Sequence, residues 1–276
     1  MKYDLITSRK NPEVMYAASL LQKKMREREG VFITDGFKLF CEAVSSGAEI
    51  RRIYLREDKI GEYLPQIVNL LGKNFLDKGR LYILSESAFE KISSENAPQG
   101  IICVIKSLDN FKKSIKIYKK DLNFSESGRT LALCSVRDPG NIGAIIRSAV
   151  AFGFRQIILS DDCAELTSPK TVRAAMGALF KISAVIVSDF ASLFSAGREV
   201  GRRVLCAELT ENAKSLSELS LCGSDIVVIG NEGHGIPPAY SAMANDSVYI
   251  PIAPNTESLN AAVAASVFLW EIGRRE

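Results

Sequence analysis

From residue 129 onward the chain alternates between two kinds of segment. Short, nearly unbroken apolar runs (131–136, 156–160, 182–187, 203–209, 225–230 and 247–252) predict strands. Between them lie stretches with apolar residues at helical spacing (142–152, 168–180, 190–200, 216–220, 237–244 and 258–274), which predict helices. Continuous apolar strands alternating with helices indicate a parallel sheet covered on both faces, so the expected class is α/β. The last of these helices is apolar on more than one face, with Leu259, Val263, Val267 and Trp270 on one and Ala261, Ala265, Phe268 and Ile272 on another. Such a helix is buried on both sides, by its own chain or by a second copy.

The first hundred residues follow a looser rhythm. Residues 11–28 predict one basic amphipathic helix, with Leu20, Leu21 and Met25 on one face, ended by Gly30. Strands are expected at 31–34, 50–55, 81–84 and 100–105, and helices at 36–45, 64–71 and 87–92. This is a small α/β module spanning 1–106. Residues 107–128 are polar and lysine-rich with weak periodicity, and 125–128 is turn-like, so the segment reads as a linker to a second domain at 129–276.

Charge sharpens this division. The whole chain carries only +3, yet residues 1–28 hold +4 of it, leaving −1 for the rest. A second lysine cluster lies within 112–120. Local basic patches suit a polyanionic partner, although a solvated helix face has the same composition. The six cysteines are dispersed, with no close pair, as expected of reduced thiols in a cytoplasmic protein. One histidine, His234, leaves little scope for a histidine-based metal site or a serine–histidine triad, and no metal is expected. No apolar run has the length of a membrane span, and the first residues open no secretory signal.

Three strand-to-turn junctions carry the candidate chemistry: 138–147, 230–235 and 250–260. Their Asn, Glu, Ser, Arg and Gly residues are what an α/β site at the carboxyl ends of strands requires. A dinucleotide-binding fold would place G-x-G-x-x-G after the first strand; here that position reads Asp138-Pro-Gly-Asn-Ile-Gly, and the later glycines have the wrong spacing. No Walker A sequence is present. A nicotinamide-dependent oxidoreductase is thereby disfavoured.

Together the junctions resemble the SpoU (TrmH) family of S-adenosylmethionine-dependent RNA ribose 2′-O-methyltransferases, within the SPOUT superfamily. The residues carrying the likeness are Asn141, Gly143 and Arg147; then Gly230, Glu232, Gly233 and Gly235; then Ile250, Pro251, Ser258, Leu259 and Asn260, in family order and spacing. The resemblance covers 129–276 closely and extends less sharply to the first module, which looks like the family's substrate-binding domain. It implies a deep trefoil knot in the catalytic domain, a homodimer, and S-adenosylmethionine held mostly by backbone near Gly230, Gly235, Ile250 and Leu259, with Leu209 as a further contact. It implies RNA as substrate, ribosomal RNA first, with transfer RNA or a non-catalytic RNA-binding role as alternatives.

The residue roles follow in the same terms. Arg147 falls off the apolar stripe of Ile142, Ile145 and Ile146. It is either a surface arginine or, as the resemblance implies, a catalytic one. A guanidinium stays protonated, so a clamp on phosphate or a donor to developing alkoxide fits better than a base. Asn141 is either a turn former or an orienting amide. Glu232 either shares the hydroxyl proton or favours a helix start by its charge. Ser258 is expected to cap the last helix, with Asn260 in its first turn reaching the site. Lys23, Lys24, Arg26 and Arg28 are the expected RNA contacts of the first module.

Overall fold

The computed structural model describes residues 4–77, 79–109, 111–122 and 128–274. Most of the turn expected at 125–128, and Lys2, lie outside them. By its internal contacts the chain forms two compact units, one of residues 1–108 with 167–180, the other of 109–166 with 181–276.

In the first unit β1 (Leu5–Ile6), α1 (Pro12–Ser19), α2 (Lys23–Glu29), β2 (Val31–Asp35), α3 (Phe37–Ser45), β3 (Ile50–Arg56), α4 (Ile60–Leu71), α5 (Lys73–Asp77), β4 (Leu81–Leu84), α6 (Glu86–Glu90) and β5 (Ile101–Lys106) follow one another. Their sheet has the order β1-β4-β3-β5-β2, with β5 antiparallel to both neighbours. One face of it packs on Val14, Ala17 and Leu20 around Tyr54, Phe89 and Val104.

The single basic helix expected over 11–28 is two helices with a break at 20–22. Arg26 explains how the break is held. Its side chain reaches back to donate to the carbonyl oxygens of Leu20 at 2.8 Å and Leu21 at 2.7 Å, and the residue is only 3% exposed. Carbonyls at a helix end lack helical partners, and here the guanidinium satisfies them. Arg26 is therefore a structural residue and not an RNA contact. Gly30 ends α2 in the left-handed conformation at φ 60°, as a helix-terminating glycine does.

The second unit contains β6 (Phe111–Lys116), β7 (Thr130–Leu133), α7 (Pro139–Ala151) and β8 (Gln156–Ser160). After α8 (Pro169–Ala175), which groups with the first unit, come β9 (Ser183–Asp189), α9 (Ser192–Glu199), β10 (Val204–Ala207), β11 (Lys214–Ser215), β12 (Ile226–Ile229), α10 (Pro238–Ser241), β13 (Asp246–Tyr249) and α11 (Ala261–Gly273). The eight strands run β11-β13-β10-β12-β7-β8-β9-β6, and every pairing is parallel. The central strands β7 and β12 are buried throughout, which accounts for their unbroken apolar sequences.

Three expectations need correction here. The linker over 107–128 contains β6, an edge strand beside β9, and a helical turn at 119–122, so most of it belongs to the second unit. The helix expected at 168–180 stops at Ala175, because Met176 turns left-handed at φ 50°, and residues 167–180 pack with the first unit, Phe180 lying 6.2 Å from Phe32. No helix forms at 216–220; the short strand β11 precedes a turn there.

Candidate active site

The strand order sets the location. Successive strands β7, β8 and β9 step one way from β7, and the chain then returns to fill the other side with β10, β12 and β13. The switch lies between β7 and β12, and ligands of open α/β sheets bind outside the carboxyl ends of the strands at such a point. The loops after β7, β12 and β13 all meet there.

Asn231 ties the first two loops together. Its Nδ2 donates to the Ser135 carbonyl at 2.8 Å, while its Oδ1 accepts from the N–H groups of Gly233 and His234 at 2.8 and 3.0 Å. Ser135 itself sits left-handed at φ 57°, which costs a non-glycine residue energy and is held by a 2.8 Å bond from its N–H to Ser160 Oγ. Asn231 and Gly235 pair backbone to backbone, closing the 231–235 loop. Gly230 is required by this closure. A Cβ there would stand 2.6 Å from the Gly235 carbonyl carbon and 2.7 Å from Ile236 Cγ1. Asn231 was not among the expected site residues. Its position between Gly230 and Glu232 was the available signal.

The central feature is a chain of amides. Asn141, in the first turn of α7, donates from Nδ2 to Glu232 Oε1 at 2.6 Å. Its Oδ1 accepts from Asn260 Nδ2 at 3.0 Å. Asn260 Oδ1 in turn accepts from the N–H groups of Ala262 and Val263 at the start of α11. Each amide is thus oriented by its neighbours, and all donors point towards the Glu232 carboxylate. The positive end of α11 and the negative Glu232 stand at opposite ends of the chain, an electrostatically favourable order.

This geometry corrects the capping expectation. Asn260, not Ser258, caps α11, because its side chain reaches the second and third N–H groups of the helix. Ser258 is exposed and lines the cavity described next. Arg147 is exposed on α7 and makes no hydrogen bond or ion pair among the described residues. It lies one turn beyond Ala144, which borders an apolar groove of about 470 Å³ with Val263, Val267 and Trp270 of α11. The structure therefore brings Asn141, Glu232 and Asn260 together and leaves Arg147 beside the groove.

Next to the amide chain is a cavity of about 720 Å³, within the size range of small-molecule sites. It is bordered by the carboxyl ends of β10, β12 and β13 and by α11. Leu209, Gly230, Gly235, Ile250 and Leu259 all line it, as do Glu232 and Ser258. The N–H groups of Ile250 and Leu259 have no backbone acceptor among the described residues. Glu208, at the cavity edge, accepts from Ser241 Oγ at 2.9 Å and Ser247 Oγ at 2.6 Å. Among the described residues no group of metal-ligating side chains converges.

The first module's remaining expected contacts, Lys23, Lys24 and Arg28, are exposed on α2, with Arg28 paired to Glu29 at 2.9 Å. No described helix is long and apolar enough to cross a membrane.

A parallel α/β domain with its cavity at the carboxyl ends of β10, β12 and β13, beside the last helix, has the fold of the SPOUT methyltransferase structures. The comparisons agree. A family described as "SpoU rRNA Methylase family" matches residues 128–270, and an "MRM3-like substrate binding domain" matches 11–103. The chain belongs to the SpoU rRNA methylase family. It is 28% identical to the 23S rRNA (guanosine(2553)-2′-O)-methyltransferase RlmP of Bacillus subtilis over 97% of this chain and 98% of that protein. It is 26% identical to a 23S rRNA (uridine(2479)-2′-O)-methyltransferase of Streptomyces viridochromogenes, covering 98% and 92% of the two chains. The AdoMet-bound rRNA methyltransferase structure from Sinorhizobium meliloti superposes with a TM-score of 0.81 at 29% identity, covering 99% and 98%.

Proposed function

We propose that this protein is an S-adenosylmethionine-dependent RNA ribose 2′-O-methyltransferase acting on ribosomal RNA. The observation that carries the reading is the Asn141–Glu232–Asn260 hydrogen-bonded chain beside the cavity. Relatives named for 23S rRNA along the full length of this chain favour ribosomal over transfer RNA. A cytoplasmic site of action is part of this reading, in keeping with the free cysteines.

The cavity fits the cofactor by its donor set. Apolar side chains of Leu209, Ile250 and Leu259 suit an adenine ring, and the free N–H groups of Ile250 and Leu259 suit its ring nitrogens. When bound, S-adenosylmethionine supplies an activated methyl group on a sulfonium. The chain's own task is to present the ribose 2′ oxygen in line and to accept its proton. Glu232 Oε1 is held by Asn141, while Oε2 has no partner among the described residues, and the side chain is exposed at the cavity edge. Glu232 would accept the proton of the 2′ hydroxyl. Fixing that carboxylate beforehand removes the need to reorganise it in the transition state. Arg147 provides positive charge for an adjacent phosphate, orienting the ribose.

The active unit is a homodimer formed through the α7–α11 groove. Val263 and Trp270 are 50% and 54% exposed in the single chain, although the opposite face of α11 is buried. Exposed apolar side chains along a groove mark an interface. Pairing there sets Arg147 at the border of the interface. Threading of the segment after β13 into a trefoil knot is part of the same reading, supported by β13 lying beside β10 while α11 returns to α7.

Arg147→Ala tests the assignment. Methyl transfer from labelled S-adenosylmethionine to 23S rRNA falls at least a hundredfold, while cofactor affinity by calorimetry stays within twofold. An equal loss of both excludes the positioning role for Arg147.

A further inference from the structure

The first unit contains a second cavity, of about 410 Å³, that methyl transfer does not use. Its lining includes Tyr16 of α1, Arg51 and Arg52 of β3, Arg80 and Tyr82 at β4, and Glu29. Three guanidiniums thus face one carboxylate, and two aromatic rings share the space.

A β-bulge builds this arrangement. Ile50 pairs with Ile105 and Arg52 with Val104, so Arg51 is the extra residue on β3. Without it Ile50 and Arg52 would share a face; with it Ile50 turns into the core and Arg52 towards α1. Arg52 is then fixed. It lies 4.0 Å over the Tyr16 ring and donates to Glu13 Oε2 at 2.9 Å. Tyr82 stacks on the buried Tyr54 at 5.4 Å. The other two arginines are differently placed. Arg51 has only an exposed pair with Glu49, a weak contact, and Arg80 lies 5.8 Å from the Phe75 ring centre and makes no ion pair among the described residues.

Fixed planar groups with two available guanidiniums match one chemistry: a flat aromatic base attached to a phosphate. We propose that this cavity docks a single unpaired nucleotide of the RNA, its base against Tyr16, Arg52 and Tyr82 and its phosphate between Arg51 and Arg80. The proposal rests on the RNA reading above and adds the place where the first unit grips the strand.

The test uses the full chain and fluorescein-labelled single-stranded rA8, followed by anisotropy across a KCl series. The double variant R51Q/R80Q is expected to bind about tenfold more weakly. Its log–log salt slope is expected to be shallower by about 0.7, the value for the one single-strand phosphate that is no longer neutralised. R51K/R80K keeps most of the slope. Tyr16→Leu weakens binding about tenfold through weaker stacking without changing the slope, and Tyr16→Phe restores it. Pairing rA8 with its complement abolishes the Tyr16 effect, and AMP competes only at millimolar concentration. If R51Q/R80Q binds rA8 with unchanged slope, the pocket is not the site and the RNA reading stands. If AMP binds as tightly as rA8, the pocket serves a free nucleotide and the proposal falls. If wild-type protein binds no RNA, both fall.

Discussion

Replacing Asn141 by alanine removes two side-chain bonds at once, the donor to Glu232 and the acceptor for Asn260. The first is charge-assisted and worth about 1.5–3 kcal/mol in a protected site, the second about 1 kcal/mol. Both are exposed, so folding stability drops by only about 1 kcal/mol, since water replaces most of what is removed. The rate suffers more, because Glu232 then has to be oriented during the reaction. A loss of about 2–3 kcal/mol of transition-state positioning lowers kcat by roughly 30- to 150-fold. Asn141→Asp is expected to do worse than alanine, since a carboxylate would face Glu232 across the present 2.6 Å contact. The assay is single-turnover methyl transfer to 23S rRNA, with S-adenosylmethionine affinity measured by calorimetry alongside. Wild-type kcat in Asn141→Ala would refute the role of the amide chain. So would an aspartate variant more active than the alanine one at neutral pH.

Three further outcomes are expected. Gly230→Ala drives a methyl group into the Gly235 backbone, so the loop shifts, stability falls by about 1–3 kcal/mol, and S-adenosylmethionine binding by calorimetry is abolished. Arg26→Ala strands the Leu20 and Leu21 carbonyls and lowers the melting temperature of the first unit, with a cost of about 2 kcal/mol, whereas Lys23→Ala with Lys24→Ala leaves the melt unchanged and flattens the salt dependence of RNA binding. Burial pushes the Cys163 thiol from 9.0 up to about 11. The unfolded chain ionises first as pH rises, so stability is intact below pH 9 and declines between pH 9 and 11. The loss approaches about 3 kcal/mol for this group, and thermal melts of Cys163→Ala show a correspondingly smaller decline.

Where the sequence was informative, the reason was periodicity or local chemistry. The strands β7, β8 and β12 are buried on both faces and so are spelled in nearly uninterrupted Leu, Ile, Val and Ala. β6 was hidden because it is an edge strand, half of whose residues are exposed lysines, leaving no alternation to read. Arg26 was misread because a basic residue among other basic residues gives no sign that it turns inward onto carbonyls six and five positions earlier. The three motifs name loops that the fold brings together. Their meeting spans 91 residues from Asn141 to Glu232 and 119 to Asn260, which only the strand order accomplishes. The choice between Ser258 and Asn260 as cap was likewise beyond local reading, since both residue types cap helices and the backbone decides which one stands at the end.

The one-way orientation of the amide chain also constrains heredity. Asn260 must present oxygen to α11 and nitrogen to Asn141, and Asn141 must then show oxygen to Asn260 and nitrogen to Glu232. No single codon change among these three can reverse its own dipole without leaving a neighbour facing its like. The two asparagines are therefore tied to each other, however far apart the gene places them.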